Sequence, residues 1–426
     1  MLAGLQPNLE GILININKFI NIDKDREQYA THFEALKIHI FGNLRKFEPF
    51  GSLFRGYQMG GSYGDNLKVS TPNEFDLVFH IQFPENKLIN VLEDSDLPGN
   101  VHLDFTKVLH KIHKETQNAI IYKYLKGRWL DERNYLIVNK LQAYFQSCFS
   151  KVLAADMNSS FRLSKLKYTR QGPAHTIEVL GHGFQYSVDF VPGILLDEKQ
   201  SVVRANVGQW EAIPKPIHSA ANRNYTSFRS SFYRQEQKLI NFNYNLKNAL
   251  RIMKKFRDAH PNMHNMKSYY IKTIFLWKIS RENQSYWKNS LMHIILEMFG
   301  DMQKTLIDEN LPFYWDQRLN MYDRLSSIQL REMLQCVASA KRELDAAANC
   351  LSIHAQKRVF KLFLNRNERE ACMESNNKVN QRKLETKEEK DLEMKEKVNS
   401  LNVNIISMDQ NDMKAIDKPT SSCNIT

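Results

Sequence analysis

Apolar positions recur at two different periods along this chain, and the change of period divides it. Residues 8–20 carry Leu9, Ile12, Leu13, Ile16, Phe19 and Ile20 at helical spacing. Residues 24–47 repeat the pattern with Phe33, Leu36, Ile40, Phe41 and Leu44, predicting a second, longer helix. The period then falls to two. Residues 74–81, EFDLVFHI, are β-branched and aromatic and predict a strand, as do 184–191, FQYSVDFV. Between them, 85–100 is loop-like and acidic, 103–124 and 131–153 are predicted helices, and 161–170 with 174–180 form a hairpin around Gln171-Gly172-Pro173. From about 228 helical periodicity returns, over 230–258, 266–282, 286–304 and 327–363. Residues 378–400 are nearly all charged or polar and offer no apolar face, which predicts a solvated tail.

The alternation in 74–81 matters most. In a strand, residues two apart share a face, so Glu74 and Asp76 project together and Phe75 points away. Just upstream lies Gly60-Gly61-Ser62-Tyr63-Gly64-Asp65, whose glycines open backbone angles closed to other residues and let amide N–H groups approach phosphate oxygens. Each piece alone is commonplace: a glycine–serine turn is usually surface, and a Glu-x-Asp pair is usually a solvated strand face. Together they make a site for hard divalent cations carrying a nucleotide triphosphate. Asp189, among Val188, Phe190 and Val191, is a costly acid to bury unless paired or metal-bound, and is the expected third ligand. His80 and His182 are read as structural or surface histidines.

Charge adds a partner class. The formal net charge is +12. Residues 366–426 hold 11 Lys/Arg against 12 Asp/Glu, so residues 1–365 carry +13. A basic folded body points to a polyanion, nucleic acid before an anionic membrane. Five dispersed cysteines without a Cys-x-x-Cys pair exclude a disulfide framework or zinc ribbon and suit a reducing, cytoplasmic setting. No apolar run approaches the roughly 18 residues of a membrane span, and no signal-peptide pattern opens the chain.

With GGSYGDNLKVSTPNEFDLVFHI and YSVDFVP in place, the chain closely resembles the cyclic GMP–AMP synthase-like receptors, nucleotidyltransferases of the male-abnormal superfamily. FRSSFYRQEQKLI (228–240), ALRIMKKFRDAH (249–260), KSYYIKTIFLW (267–277) and PFYWDQRLNM (312–321) carry the likeness into the helical part, so it spans about residues 8–365. It implies an α+β, bilobal fold: a mixed-sheet catalytic lobe with an N-terminal spine helix, and an all-helical C-terminal lobe. The expected division is a nucleotidyltransferase core over 1–205, a helical lobe over 206–365 and a charged tail over 366–426.

The resemblance also implies roles. Gly61 and Ser62 would hold donor phosphates. Glu74, Asp76 and Asp189 would bind two Mg²⁺ or Mn²⁺ ions. Arg229 would reach the acceptor nucleotide. Lys254, Ser268 and Lys272 would contact nucleotide, and Tyr269 would stack on a base. ATP and GTP would be joined into a cyclic dinucleotide through an innate-immune response to nucleic acid. Vertebrate DNA sensors of the family have a His-Cys-Cys-Cys zinc thumb; HPNMHNM (260–266) has no cysteine, so no structural zinc is expected. The zinc-free insect-type relatives are the better match, which makes double-stranded RNA the expected trigger. Lys37, Arg45 and Lys46 on the spine helix, with Arg55 beyond it, are the expected RNA-facing residues, supplemented by basic residues of 107–140, and oligomers on nucleic acid are possible. Three readings stay open at this level: an RNA-triggered synthase (or one triggered by another ligand such as DNA), a catalytically silent binding or scaffold relative, and a template-independent polymerase acting on RNA ends.

Overall fold

The computed structural model describes residues 8–372, except 22–25, 70–72, 157–163, 182, 205–207, 217–224, 242–243 and 350–351, and describes 393–395 and 397 beyond them. His182 and most of the charged tail therefore lie outside the described residues. The chain divides into two units, residues 1–364 and 365–426. In the second, residues 366–372 form a short helix.

Among the described residues nine strands make one mixed sheet: β1 (Phe54–Gly60), β2 (Glu74–Ile81), β3 (Asn90–Glu93), β4 (Asn100–Asp104), β5 (Lys165–Gln171), β6 (Ala174–Gly181), β7 (Phe184–Leu196), β8 (Trp210–Ile213) and β9 (Ser227–Ser231). The main path runs β1-β2-β7-β8-β9-β4-β3, with the β5–β6 hairpin attached to β7 through β6. β2 and β7 are parallel neighbours, and their register sets Asp76 directly beside Asp189. The apolar face of β2 is closed by the Arg26–Leu44 helix. Phe33 stacks on Phe75 at 4.3 Å between ring centroids, and Phe41 packs edge-on against Phe79 and Phe190. This aromatic layer fixes which way β2 faces, since a one-residue slip would bury both acids and expose the rings.

Three expectations change. Residues 90–93 and 100–104 are antiparallel strands, not loop and helix; Val91, Val101 and Leu103 are buried, and β4 bonds β9. The predicted 103–124 helix is broken into Thr106–Ile112 and Ala119–Tyr124, followed by a π-helical turn, Leu125–Trp129, and the next helix starts at Val138 rather than near 131. The Asp131 carboxylate accepts the backbone N–H groups of Arg133 and Tyr135, holding 131–135 as a turn where a helix was expected. The sheet also continues past residue 205 through β8 and β9, so FRSS is strand and its helix begins only at Tyr233.

The remaining large helices are Tyr233–Ile240, Tyr244–Ala259, Ser268–Arg281, Leu291–Ile307, Ser327–Asn349 and Ile353–Phe363. The first helix of the chain, Leu9–Ile20, packs among these rather than on the sheet. Its Glu10 accepts the N–H groups of Leu291 (3.0 Å) and Met292 (2.6 Å), capping the Leu291–Ile307 helix with a charge suited to its dipole. Among the described residues no helix is long and apolar enough to cross a membrane.

Candidate active site

β1 ends at Gly60 and the chain turns at once through the short helix Gly61–Gly64. The turn requires glycine. Gly61 has φ +57°, and a Cβ there would sit 1.7 Å from Asp76 Oδ2. The glycine turn and the acid face are thus packed in contact, and any side chain at 61 would displace the second acid.

Glu74, Asp76 and Asp189 each offer a carboxylate oxygen, and these three oxygens lie within 4.8 Å of one another. Thr176, beside Asp189 in the neighbouring strand, donates to Asp189 Oδ1 at 2.6 Å. Burial, then Glu74, then Asp189 push Asp76 up to about 7. Burial and Glu74 likewise raise Asp189, against the Thr176 bond. Lys68, 2.9 Å from Glu74, is a nearby cation at the exposed end of the cluster. Burial together with mutual repulsion is what a divalent cation would relieve. A set of three carboxylates with hard oxygen donors fits Mg²⁺ or Mn²⁺ and not a soft metal.

A cavity of about 430 Å³ opens over Glu74 and Asp76, while Asp189 lies beside Asp76 without lining the cavity. It gathers Gly61, Ser62, Glu74 and Asp76 from the sheet side with Lys254, Ser268, Tyr269 and Lys272 from the helices. Residues separated by some two hundred positions in sequence therefore meet. Arg229 is not among them. It lines an adjoining cavity of about 280 Å³ with Lys215 and Phe313, and Tyr269, Tyr233 and Glu236 border both spaces. Arg229 lies over the Phe313 ring at 5.6 Å, its guanidinium pKa lowered chiefly by burial. Lys254 is buried, donates to the Leu67 carbonyl at 3.2 Å, and burial followed by Arg257 brings it down to about 8.

Two of the expected nucleotide contacts have other engagements. Lys272 is buried between two carboxylates, 2.8 Å from Asp65 and 2.9 Å from Glu236. Tyr269 donates its hydroxyl to Glu236 at 2.6 Å while its half-buried ring borders both cavities. Trp315 donates to the same Glu236 oxygen at 2.9 Å, and Tyr233 donates to Asp65 at 2.9 Å. Asp65 directly follows the glycine turn; Lys272 and Glu236 are helical. The ion triad ties the turn to the helices. Sequence reasoning missed Asp65, Glu236 and Tyr233. A signal existed: Tyr233, Glu236 and Ile240 share one stripe of their helix, and an acid on that buried stripe needs a partner.

On the expected RNA face, Arg45, Lys46 and Arg55 are exposed. Lys37 is 5% exposed, paired to Glu34 at 2.5 Å and seated over the Phe33 and Tyr57 rings. In the zinc-thumb position, His260 bonds the Leu362 carbonyl and His264 the Pro261 carbonyl, both at 2.9 Å. His80 is buried 3.4 Å from Glu211.

Two family models cover most of the first unit. Residues 63–241 match the Mab-21 protein nucleotidyltransferase domain and 245–339 the Mab-21 protein HhH/H2TH-like domain, which defines a bilobal α+β nucleotidyltransferase. A cyclic GMP-AMP synthase-like receptor of Lucilia cuprina is 57% identical over 364 residues, 84% of this chain and 98% of the relative. Cyclic GMP-AMP synthase-like receptor 2 of Drosophila melanogaster is 42% identical, covering 78% of this chain and 76% of its own, and a cyclic GMP-AMP synthase-like receptor of Aethina tumida is 27% identical over 79% and 88%. The chain belongs to the cyclic GMP–AMP synthase-like receptor family of Mab-21 nucleotidyltransferases.

Proposed function

We propose that this protein is an innate-immune sensor of the cytoplasm that joins ATP and GTP into a cyclic dinucleotide of the cyclic GMP–AMP type when double-stranded RNA binds it. One observation carries the chemistry: two adjoining cavities share Tyr269 as a wall, and only one of the two is lined by Glu74 and Asp76 of the acid cluster. That arrangement suits two nucleotides, a donor over the acids and an acceptor beside Arg229.

In this reading Ser62 and the turn N–H groups donate to the donor's phosphate oxygens. Lys254 in its charged form adds an ammonium on the same side. Tyr269, pinned by Glu236, presents a ring face to a base, which positions any base and selects weakly. Thr176 holds Asp189 Oδ1 and leaves Oδ2 to orient the acceptor hydroxyl and take its proton. Lys272 acts through Asp65 and Glu236 rather than on phosphate. When bound at Glu74, Asp76 and Asp189, divalent cations would supply the charge neutralisation that pyrophosphate departure needs. Repetition of the transfer within the same space closes the ring.

The RNA face in this reading comprises Arg45, Lys46 and Arg55, without the internally paired Lys37. Recognition of an A-form duplex would rest on phosphates and groove shape, so it should weaken steeply with salt. The test is incubation with ATP, GTP and Mg²⁺ or Mn²⁺, with long double-stranded RNA, with DNA, and without either. A cyclic dinucleotide formed only with RNA is expected. Elongated RNA, no product in any arm, or equal synthesis in all arms would overturn the reading.

A further inference from the structure

The largest concavity among those described is not the active-site cavity. A groove of about 960 Å³ lies between the Val138–Asp156 helix, the π-helical turn Leu125–Trp129 and the segment that follows the spine helix. It shares no lining residue with the acid-bearing cavity of about 430 Å³ or with the Arg229 cavity.

Its composition has two layers. Tyr124, Trp129 and Tyr144 form an aromatic floor, each ring within 5.1–5.5 Å of the other two. Three cations, Arg128, Lys140 and Lys151, rise around it; all are exposed, and none makes an ion pair among the described residues. Two of them lie over aromatic faces: Arg128 is 5.2 Å from the Tyr124 ring centre and Lys151 is 5.7 Å from that of Phe47. The groove's carboxylates are mostly engaged. Asp131 pairs with Arg133, Glu48 accepts the Ser52 hydroxyl at 2.6 Å, and Glu132 is exposed.

The spacing is built rather than scattered. Lys140, Tyr144, Cys148 and Lys151 lie at helical intervals on one face of their helix. The π turn carries exposed Arg128, and a Cβ on exposed Gly127 would meet nothing within 4 Å. Such turns are rare and recur at functional sites.

We propose that this groove is a second nucleotide-binding site, which takes a nucleobase on the Tyr124–Tyr144 side and phosphates on Arg128, Lys140 and Lys151. A duplex is a poor fit, because its bases are stacked inside and cannot reach an aromatic floor. The groove's size falls in the range of about 300–1,000 Å³ usual for small-molecule sites. Either a nucleoside triphosphate or a cyclic dinucleotide has the required chemistry, an aromatic base with at least two negative charges. The site stands whether or not the proposed synthesis is correct.

The test is photo-cross-linking of 8-azido-ATP to the full chain in EDTA, with peptide mapping and competition by ATP, GTP, cyclic GMP–AMP or pyrophosphate. Label on peptides within 124–151 is expected, and the competitor effective at the lowest concentration identifies the source. Lys140→Glu with Lys151→Glu should lower that labelling about tenfold, the loss expected from removing charge-assisted contacts, with an unchanged melting temperature. Label confined to other peptides, labelling indifferent to the double substitution, or displacement by pyrophosphate as effective as by nucleotide would each overturn the proposal.

Discussion

Two groups of acids meet at one cavity, lined by Glu74 and Asp76 of the first and by Asp65 and Glu236 of the second, and the protein treats them in opposite ways. Glu74, Asp76 and Asp189 crowd their oxygens within 4.8 Å, with Thr176 bonded to Asp189, Lys68 paired to Glu74 and Lys254 a more distant cation acting on Asp76. Glu74 is exposed and Asp76 and Asp189 half-buried, whereas Asp65 and Glu236 are buried, with Lys272 between them and Tyr233, Tyr269 and Trp315 donating into them. The first group has Lys68 at its exposed edge but no enclosed counter-charge among the described residues, an arrangement suited to a cation from outside. The second is satisfied from within and so belongs to the scaffold. The same residue type becomes ligand or strut according to whether the fold supplies its counter-charge.

This contrast can be broken at either end. The largest effect should come from Asp189→Ala, which removes a ligand from the unsatisfied group. Nucleotidyl transfer should fall by at least about 10³-fold, the scale of removing a positioned catalytic group. Folding stability should hold or rise, because a repelled carboxylate is gone; product chromatography and a thermal melt on the same sample check both halves. Substantial activity in this variant would sink the three-acid assignment.

Next in size is Lys272→Met. It strands two buried carboxylates, and breaking a buried pair this way costs about 3–5 kcal/mol. Urea unfolding should show that loss equally with and without Mg²⁺, which separates a strut from a nucleotide ligand. A variant as stable as the parent, but with weakened nucleotide affinity, would return Lys272 to the role that family resemblance implied.

The smallest effect is a pH dependence. Asp76 keeps its proton in the metal-free fold up to about 7, whereas its ordinary value is 3.8. Because the folded value is raised, the unfolded chain ionises first. Metal-free stability should therefore fall as pH rises from about 4 through about 7, and Asp76→Asn should flatten that fall. Melting curves in EDTA between pH 5 and 7.5 test it. Mg²⁺ should raise the melting temperature more at pH 7.5 than at pH 5, since only the ionised cluster binds it.

Much of the acid site was legible because strand periodicity is a local property. Alternation alone put Glu74 and Asp76 on one face, and the aromatic residues of the opposite face, Phe75 and Phe79, needed only a helix to cover them. The β3–β4 pair was not legible. Four- and five-residue strands flanked by Glu93, Asp94, Asp96 and Pro98-Gly99 carry loop chemistry, and β4 becomes a strand because β9 bonds it from more than a hundred residues away. Lys37 shows the converse error: a spine-helix lysine reads as solvated, yet Glu34 and two rings enclose it.

By itself, the sequence determined the periods, the glycine turn, the spacing of the acids and the family. These depend on neighbours a few residues apart or on whole motifs in order. Only the tertiary structure decided which charges meet. Asp189 stands beside Asp76 because β2 and β7 are parallel and in that register. Lys272 reaches Asp65 across 207 positions and is thereby removed from the inventory of free cations. Electrostatic role depends on distance and burial, and those are set when the chain closes on itself, not by the order of its residues.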